Sequence, residues 1–458
     1  MRLTQLIPDA SLVFPPEDSA MWRRDFLFGA ATASYQIEGA ADEDGRLPSI
    51  WDTYSATPGL VHNGDTGAVA CDHYHRYETD IALLASLGFD AYRFSIAWPR
   101  VMDESGAINQ KGVDFYKRLL DRLEAHGLKS FATLYHWDLP QHLQDRGGWL
   151  NRDTSQRFAE YADLMSRQLG GRIDAWTTLN EPWCSAHLGH GIGRHAPGLK
   201  NVRYSVEAMH HLLLGHGLAT TALRANDKAP VGLVNNVNAV KAASDSPKDR
   251  RAAELAHACA SHWVLDALLL GRYPDEMSEL WPQAKAPVRA GDMDVIRTPM
   301  DYLGINYYFR MQVESDGAHG FVEKQLPNLE RTQMGWEVYP SGLRDLLVEF
   351  KQRYPELPPI YITENGMASD DRVEGGSVND LQRMSYLGRH FAAVDEAMRQ
   401  GVDVRGYFVW SLLDNFEWAY GYEKRFGIVH VDYATQTRTP KDSALALKEF
   451  LTRRNATA

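Results

Sequence analysis

Eight short, apolar, β-rich runs recur along this chain with helical stretches between them, and that alternation limits the fold more than any other feature. The runs are Phe26–Ala31, Asp90–Ile96, Ser130–Tyr135, Ala175–Leu179, Val231–Val237, Tyr302–Tyr307, Ile360–Thr363 and Gly406–Trp410. The intervening segments Asp80–Leu87, Val113–His126 and Arg157–Leu169 carry apolar residues at i, i+3 and i+4, which gives a helix one buried stripe. Strands alternating with helices imply a parallel sheet. Eight such units predict an α/β fold closed as a (β/α)8 TIM barrel. No Gly-, Ser- or Pro-rich boundary splits the chain, so residues 21–458 read as one domain with elaborated βα loops. Residues 1–20, with Pro8, Pro15 and Pro16, read as a loose arm. The polar stretch Glu314–Leu329 reads as a long loop after the sixth strand.

Composition removes several classes of function. A length of 458 residues fits one large barrel, since this architecture exceeds 400 residues with insertions. The net charge of −12 argues against a nucleic-acid partner and against a polybasic membrane anchor. The three cysteines, Cys71, Cys184 and Cys259, are too few and too scattered for a disulfide framework, and they match no metal-site spacing. The N-terminus lacks the apolar core of a signal peptide, and no run approaches the roughly 18 apolar residues of a membrane span. The expectation is a reduced, cytoplasmic protein; a homo-oligomer stays open.

In such a barrel, chemistry sits where strands end and βα loops begin. The fourth run ends in Thr178-Leu179-Asn180-Glu181-Pro182 and the seventh in Ile362-Thr363-Glu364-Asn365-Gly366. Strands four and seven lie roughly opposite, so the two carboxylates can face one another across the mouth. Either glutamate alone reads as a solvated loop residue. Two at matched positions are what glycoside hydrolysis requires, one to protonate the leaving oxygen and one to attack or to activate water. Other strand ends carry Gln36, His136, Asn306, Trp410, Glu417 and Trp418. Amide, imidazole and carboxylate groups pair with vicinal hydroxyls, and aromatic faces pack on the C–H faces of a sugar ring. His73-Tyr74-His75 and His210-His211 lack HExxH spacing, so no metal is expected; no dinucleotide- or phosphate-binding glycine motif occurs, so no cofactor is expected either.

Seven segments, in order, resemble glycoside hydrolase family 1. They are Phe26–Gly39, Tyr92–Arg100, His136-Trp137-Asp138, Leu179–Pro182, His195-Ala196-Pro197-Gly198, Ile362–Gly366 and Trp410–Trp418. The resemblance covers about residues 25–450 and implies a retaining β-glycosidase acting on small β-glucosides or cello-oligosaccharides. It casts Glu364 as nucleophile and Glu181 as acid/base, with carboxyl groups about 5–5.5 Å apart. It implies that Arg93 and Tyr308 orient Glu364 and keep it ionised. It implies a glycone pocket of Gln36, His136, Asn180, Glu417 and Trp418, floored by Trp410. Trp183, His190, Trp336 and Phe426 are weaker candidates for the aglycone side. Three rivals remain. A non-catalytic sugar-binding protein would have replaced a carboxylate. A thioglucoside-cleaving enzyme tends to carry Gln at the acid/base position. A 6-phospho-β-glycosidase has Ser and Lys around the phosphate, where Glu417 stands here, although Lys424 and Arg425 follow closely.

Overall fold

The computed structural model describes residues 10–318 and 320–456. Its central sheet contains strands β1 (Leu27–Ala31), β2 (Ala91–Ser95), β3 (Lys129–Tyr135), β4 (Ala175–Asn180), β5 (Val231–Ala242), β6 (Tyr302–Ser315), β7 (Phe321–Glu323), β8 (Ile360–Asn365) and β9 (Val404–Trp410). Their order is β5-β4-β3-β2-β1-β9-β8-β6-β7, and β5 also pairs with β6. That pairing closes the sheet. Every barrel pair is parallel, and only β7 adds antiparallel, to β6. The fold is the expected (β/α)8 barrel. A separate hairpin, β10 (Val429–Asp432) with β11 (Thr437–Pro440), follows the last barrel strand.

The helices form for the reason their spacing suggests. In the helix Gln110–Ala125, the residues Val113, Phe115, Tyr116, Leu119, Leu120 and Leu123 are all buried. Each large apolar side chain so buried contributes about 1.5–3 kcal/mol. Within the barrel the base is aromatic: Phe131 lies 4.9 Å from Phe408 and 5.4 Å from Tyr361, centroid to centroid. Room for this plug comes from Gly29, where a Cβ would stand 2.4 Å from the Phe408 ring.

Two expectations are corrected. The stretch Glu314–Leu329 is not all loop. β5 and β6 continue past the mouth as a paired ribbon, to Ala242↔Val313, and Val313–Ser315 then pairs with Phe321–Glu323. Alternation in Arg310–Ser315 is weak because neither face of this ribbon is fully buried. The N-terminal arm is not loose over residues 10–20. A short 3₁₀ turn, Ala10–Val13, buries Val13, and Phe14 packs 5.8 Å from Phe450. A few apolar anchors are enough to hold a polar, proline-containing segment in place. Residues 1–9 of that arm lie outside the described residues.

Candidate active site

The C-terminal mouth gathers the polar residues singled out above. β4 ends at Asn180, and Glu181 follows with a left-handed backbone (φ +48°), its N–H bonded to the Val234 carbonyl at 2.9 Å. A non-glycine residue held there is strained, and such strain concentrates at functional positions. Glu364 lies within β8, one residue beyond the expected strand end. The turn after it needs Gly366, because a Cβ there would lie 1.8 Å from the Trp410 carbonyl oxygen.

One hydrogen-bonded path links the two carboxylates. Arg93 Nη1 donates to Glu364 Oε1 at 2.6 Å, and Nη2 donates to Asn180 Oδ1 at 2.6 Å. Asn306 Nδ2 donates to the same Asn180 oxygen at 3.2 Å and to Glu181 Oε1 at 2.6 Å. Thr363 in turn donates to Asn306 Oδ1 at 2.7 Å and so fixes the amide's orientation. Tyr308 donates to Glu364 Oε2 at 2.6 Å. Both Glu364 oxygens are therefore hydrogen-bond acceptors. Glu181 differs. Burial, then the Glu364 charge, push its pKa up to about 7, against the opposing hydrogen bonds from Asn306 and Cys184. Two similar side chains thus occupy different environments: Glu364 accepts from Arg93 and Tyr308, whereas burial and a neighbouring charge raise the pKa of Glu181.

Around the pair, Gln36 Nε2 donates to Asn415 Oδ1 at 3.0 Å and to the Phe416 carbonyl at 2.8 Å, and lies 3.5 Å from Glu417 Oε2. The half-buried Glu417 is raised to about 8, first by burial and then by the charges of Glu364 and Glu181. His136 sits between Trp410 (5.9 Å) and Trp418 (6.1 Å), with Nε2 3.0 Å from Asn180 Nδ2. Gln36 Oε1 and His136 Nδ1 are buried and have no protein partner. Trp336 and Phe426 flank Tyr308, at 5.5 and 6.0 Å. Trp183, half-buried, lies 4.9 Å from His187. His190 is placed differently: it is 1% exposed and bonded through Nδ1 to the Ser185 carbonyl at 2.8 Å, inside the π-helical turn Cys184–Gly191.

Two contributors were not singled out from sequence. Cys184 Sγ donates to Glu181 Oε2 at 3.0 Å. Its i+3 position after the glutamate is the available signal, but only if a helical turn follows Pro182. Trp137 Nε1 donates to the Asn180 carbonyl at 2.9 Å, and its ring lies 4.5 Å from Trp418. The only hint was its adjacency to His136. Lys424 is occupied by Glu423 (2.8 Å) and the Gln333 carbonyl (3.3 Å), and Arg425 by Asp414 (2.7 Å).

A closed parallel barrel with two glutamates joined by hydrogen bonds across its C-terminal mouth defines the class: a (β/α)8 barrel with a pair of carboxyl groups where such barrels place their active sites. Comparison with known proteins narrows it. The model of glycosyl hydrolase family 1 matches residues 18–456, and the chain belongs to that family. It is 46% identical over 432 residues to a β-glucosidase of Agrobacterium sp., covering 93% of this chain and 94% of the relative. A solved enzyme from Alicyclobacillus herbarius superposes with a TM-score of 0.92 at 50% identity, covering 95% of this chain and 100% of the other. The β-glucosidase of Thermotoga maritima in complex with deoxynojirimycin superposes with a TM-score of 0.92 at 44% identity, covering 94% and 98%.

Proposed function

We propose that this chain is a retaining β-glucosidase that releases terminal non-reducing β-D-glucosyl residues from small β-glucosides and cello-oligosaccharides. The observation that carries the reading is the asymmetry of the pair: Glu364 receives donors on both oxygens, while Glu181 holds its proton to about 7. Glu364 attacks the anomeric carbon and forms a glycosyl-enzyme. Glu181 gives its proton to the leaving oxygen. Once Glu364 is esterified, its charge no longer raises the pKa of Glu181, which can then take a proton from water. The relatives' names support the glycone and chain type; one from Thermotoga neapolitana, 47% identical, is called a 1,4-β-D-glucan glucohydrolase.

The unpartnered Gln36 Oε1 and His136 Nδ1 support a hydroxyl-rich ligand, since leaving a buried polar atom unbonded costs about 1–3 kcal/mol. Trp410 and Trp418 supply apolar faces beside them. Trp183, Trp336 and Phe426 form the aglycone side. The engagement of Lys424 and Arg425 with acids favours an unphosphorylated glycone. A cytoplasmic location is part of this reading: Cys71, Cys184 and Cys259 are buried and unpaired, which suits a reducing compartment. Among the described residues no helix is long and apolar enough to cross a membrane.

Two outcomes are expected. The acid must be protonated, so kcat/KM should fall as pH rises through about 7, the pKa of Glu181. A profile flat to pH 9 would remove Glu181 from the role of acid. Glu417→Ser should lower kcat/KM for unphosphorylated aryl glucosides by about 5- to 150-fold, the loss of two neutral hydrogen bonds of about 0.5–1.5 kcal/mol each to sugar hydroxyls. Unchanged kcat/KM, or a gain specific to 6-phosphoglucosides without loss on glucosides, would refute its place in the glycone pocket.

A further inference from the structure

The helix Pro247–His257 runs into the helix Trp263–Leu270 through one π-helical turn, Ala258–His262. In an α-helix, i and i+5 point in different directions. The residue inserted by a π-turn restores a shared face. His257 and His262, five apart, therefore present their rings to the same neighbour, with centroids 4.3 Å apart. That neighbour is Glu349, on the helix Pro340–Arg353. His257 Nε2 lies 2.9 and 3.0 Å from its two oxygens, and His262 Nε2 lies 2.8 Å from Oε1. All the ligating atoms fall within 4.8 Å of one another. Two imidazole nitrogens and a carboxylate thus converge on one point, with 21%, 10% and 38% of the side chains exposed.

We propose that His257, His262 and Glu349 form a binding site for a divalent transition-metal ion of the Zn²⁺ type, separate from the glycosidic centre. A single carboxylate neutralises only one imidazolium, so a salt bridge needs one of these histidines; a chelate needs both. Two nitrogens and one oxygen suit Zn²⁺ rather than Ca²⁺ or Mg²⁺, which take oxygen ligands. Tetrahedral Zn²⁺ with bonds near 2.0–2.1 Å holds its ligand atoms about 3.3 Å apart. The N···O separations of 2.8–3.0 Å need to open by only a few tenths of an ångström to reach that spacing, and all the ligand atoms already lie within 4.8 Å of one another. Solvent reaches the site through the Glu349 side and supplies the fourth ligand. The other histidine clusters are committed elsewhere: His73 to Asp80, His75 to Asp72 and Glu43, and His210 to Asp292 and Tyr273. None of His257, His262 or Glu349 is bonded to Glu181 or Glu364, so the ion is a clip between two helices and takes no part in hydrolysis. His257 Nδ1 has no protein partner to lock its tautomer, so binding should be weaker than in closed structural sites.

The test uses the full chain, stripped by EDTA and dialysed into metal-free buffer. Titration with ZnCl₂ should show one ion bound per chain and a midpoint of thermal unfolding that rises with Zn²⁺ concentration. Co²⁺ should give the strong visible bands of a four-coordinate ion. His257→Ala and Glu349→Gln should each weaken Zn²⁺ binding at least tenfold and abolish the thermal shift, while retaining hydrolysis of an aryl β-glucoside, which verifies their fold. Stripped wild-type protein should hydrolyse that substrate at the same rate as the metal-loaded form. Absence of stoichiometric Zn²⁺ binding to the wild type, or the same thermal shift and Co²⁺ spectrum in both variants, would overturn the site. The wild-type titration decides the matter even where a variant fails to fold.

Discussion

Glu181→Ala should hydrolyse an alkyl β-glucoside about 10²- to 10⁴-fold more slowly, the usual contribution of a positioned general acid, yet still form the glycosyl-enzyme from a dinitrophenyl glucoside. The difference lies in the leaving group. A dinitrophenolate departs without a proton, whereas an alkoxide does not. Glu181 approaches from β4 with its pKa raised to about 7, and Glu364 from β8 with both oxygens accepting hydrogen bonds. Removing the Glu181 carboxyl opens space on the leaving-group face. Azide should enter there and restore turnover, giving the β-glucosyl azide. Glu364→Ala should lose all substrates by about 10⁴-fold or more, because no covalent intermediate can form. Azide bound in its place should attack from the opposite face and give the α-azide. Product configuration, read by NMR, checks the assignment. Swapped configurations would exchange the two roles.

Arg93→Met should be the next most damaging change, lowering kcat/KM by about 10²- to 10³-fold for activated and unactivated glucosides alike. Arg93 is 1% exposed and is the cation bonded to Glu364, with Tyr308 the other donor. Removing one partner of a buried ion pair costs about 3–5 kcal/mol, since the remaining charge is left without compensation. Glu364 is then left without its cation and held by Tyr308 alone, so attack should slow whatever the leaving group. Asn180 Oδ1 also loses the nearer of its two donors, which loosens the path to Asn306 and Glu181. Arg93→Lys keeps the charge but not the two-armed geometry, and should recover part of the rate. A loss below tenfold, or one confined to unactivated glucosides, would make Arg93 a scaffold residue only.

The zinc clip and the carboxylate pair also part company on chelation. EDTA should lower the thermal midpoint while leaving the rate intact, because the proposed hydrolysis needs only two carboxylates and water.

Sequence by itself determined the barrel. Period-3.6 helices alternating with buried strands admit few closed solutions, and residues immediately after a strand must lie at one end of it. Glu181, Glu364, Asn180 and Trp410 were legible for that reason, since each marks the end of its strand. The length of β5 and β6 was not legible, because their extension past the mouth is half-exposed and has no clean alternation. Tertiary structure alone decided which partners each carboxyl group meets. The partners that separate Glu181 from Glu364 come from β2, β6 and a cysteine three residues on, so burial and Coulomb terms depend on strands far apart in sequence. It also decided that His190 is buried and bonded to the Ser185 carbonyl, and that His257, His262 and Glu349 meet. The last depends on a π-turn that no residue spacing announces and on a helix 87 residues beyond His262. Local periodicity fixes which way a side chain faces; which groups share a low-dielectric space is set only when the barrel closes.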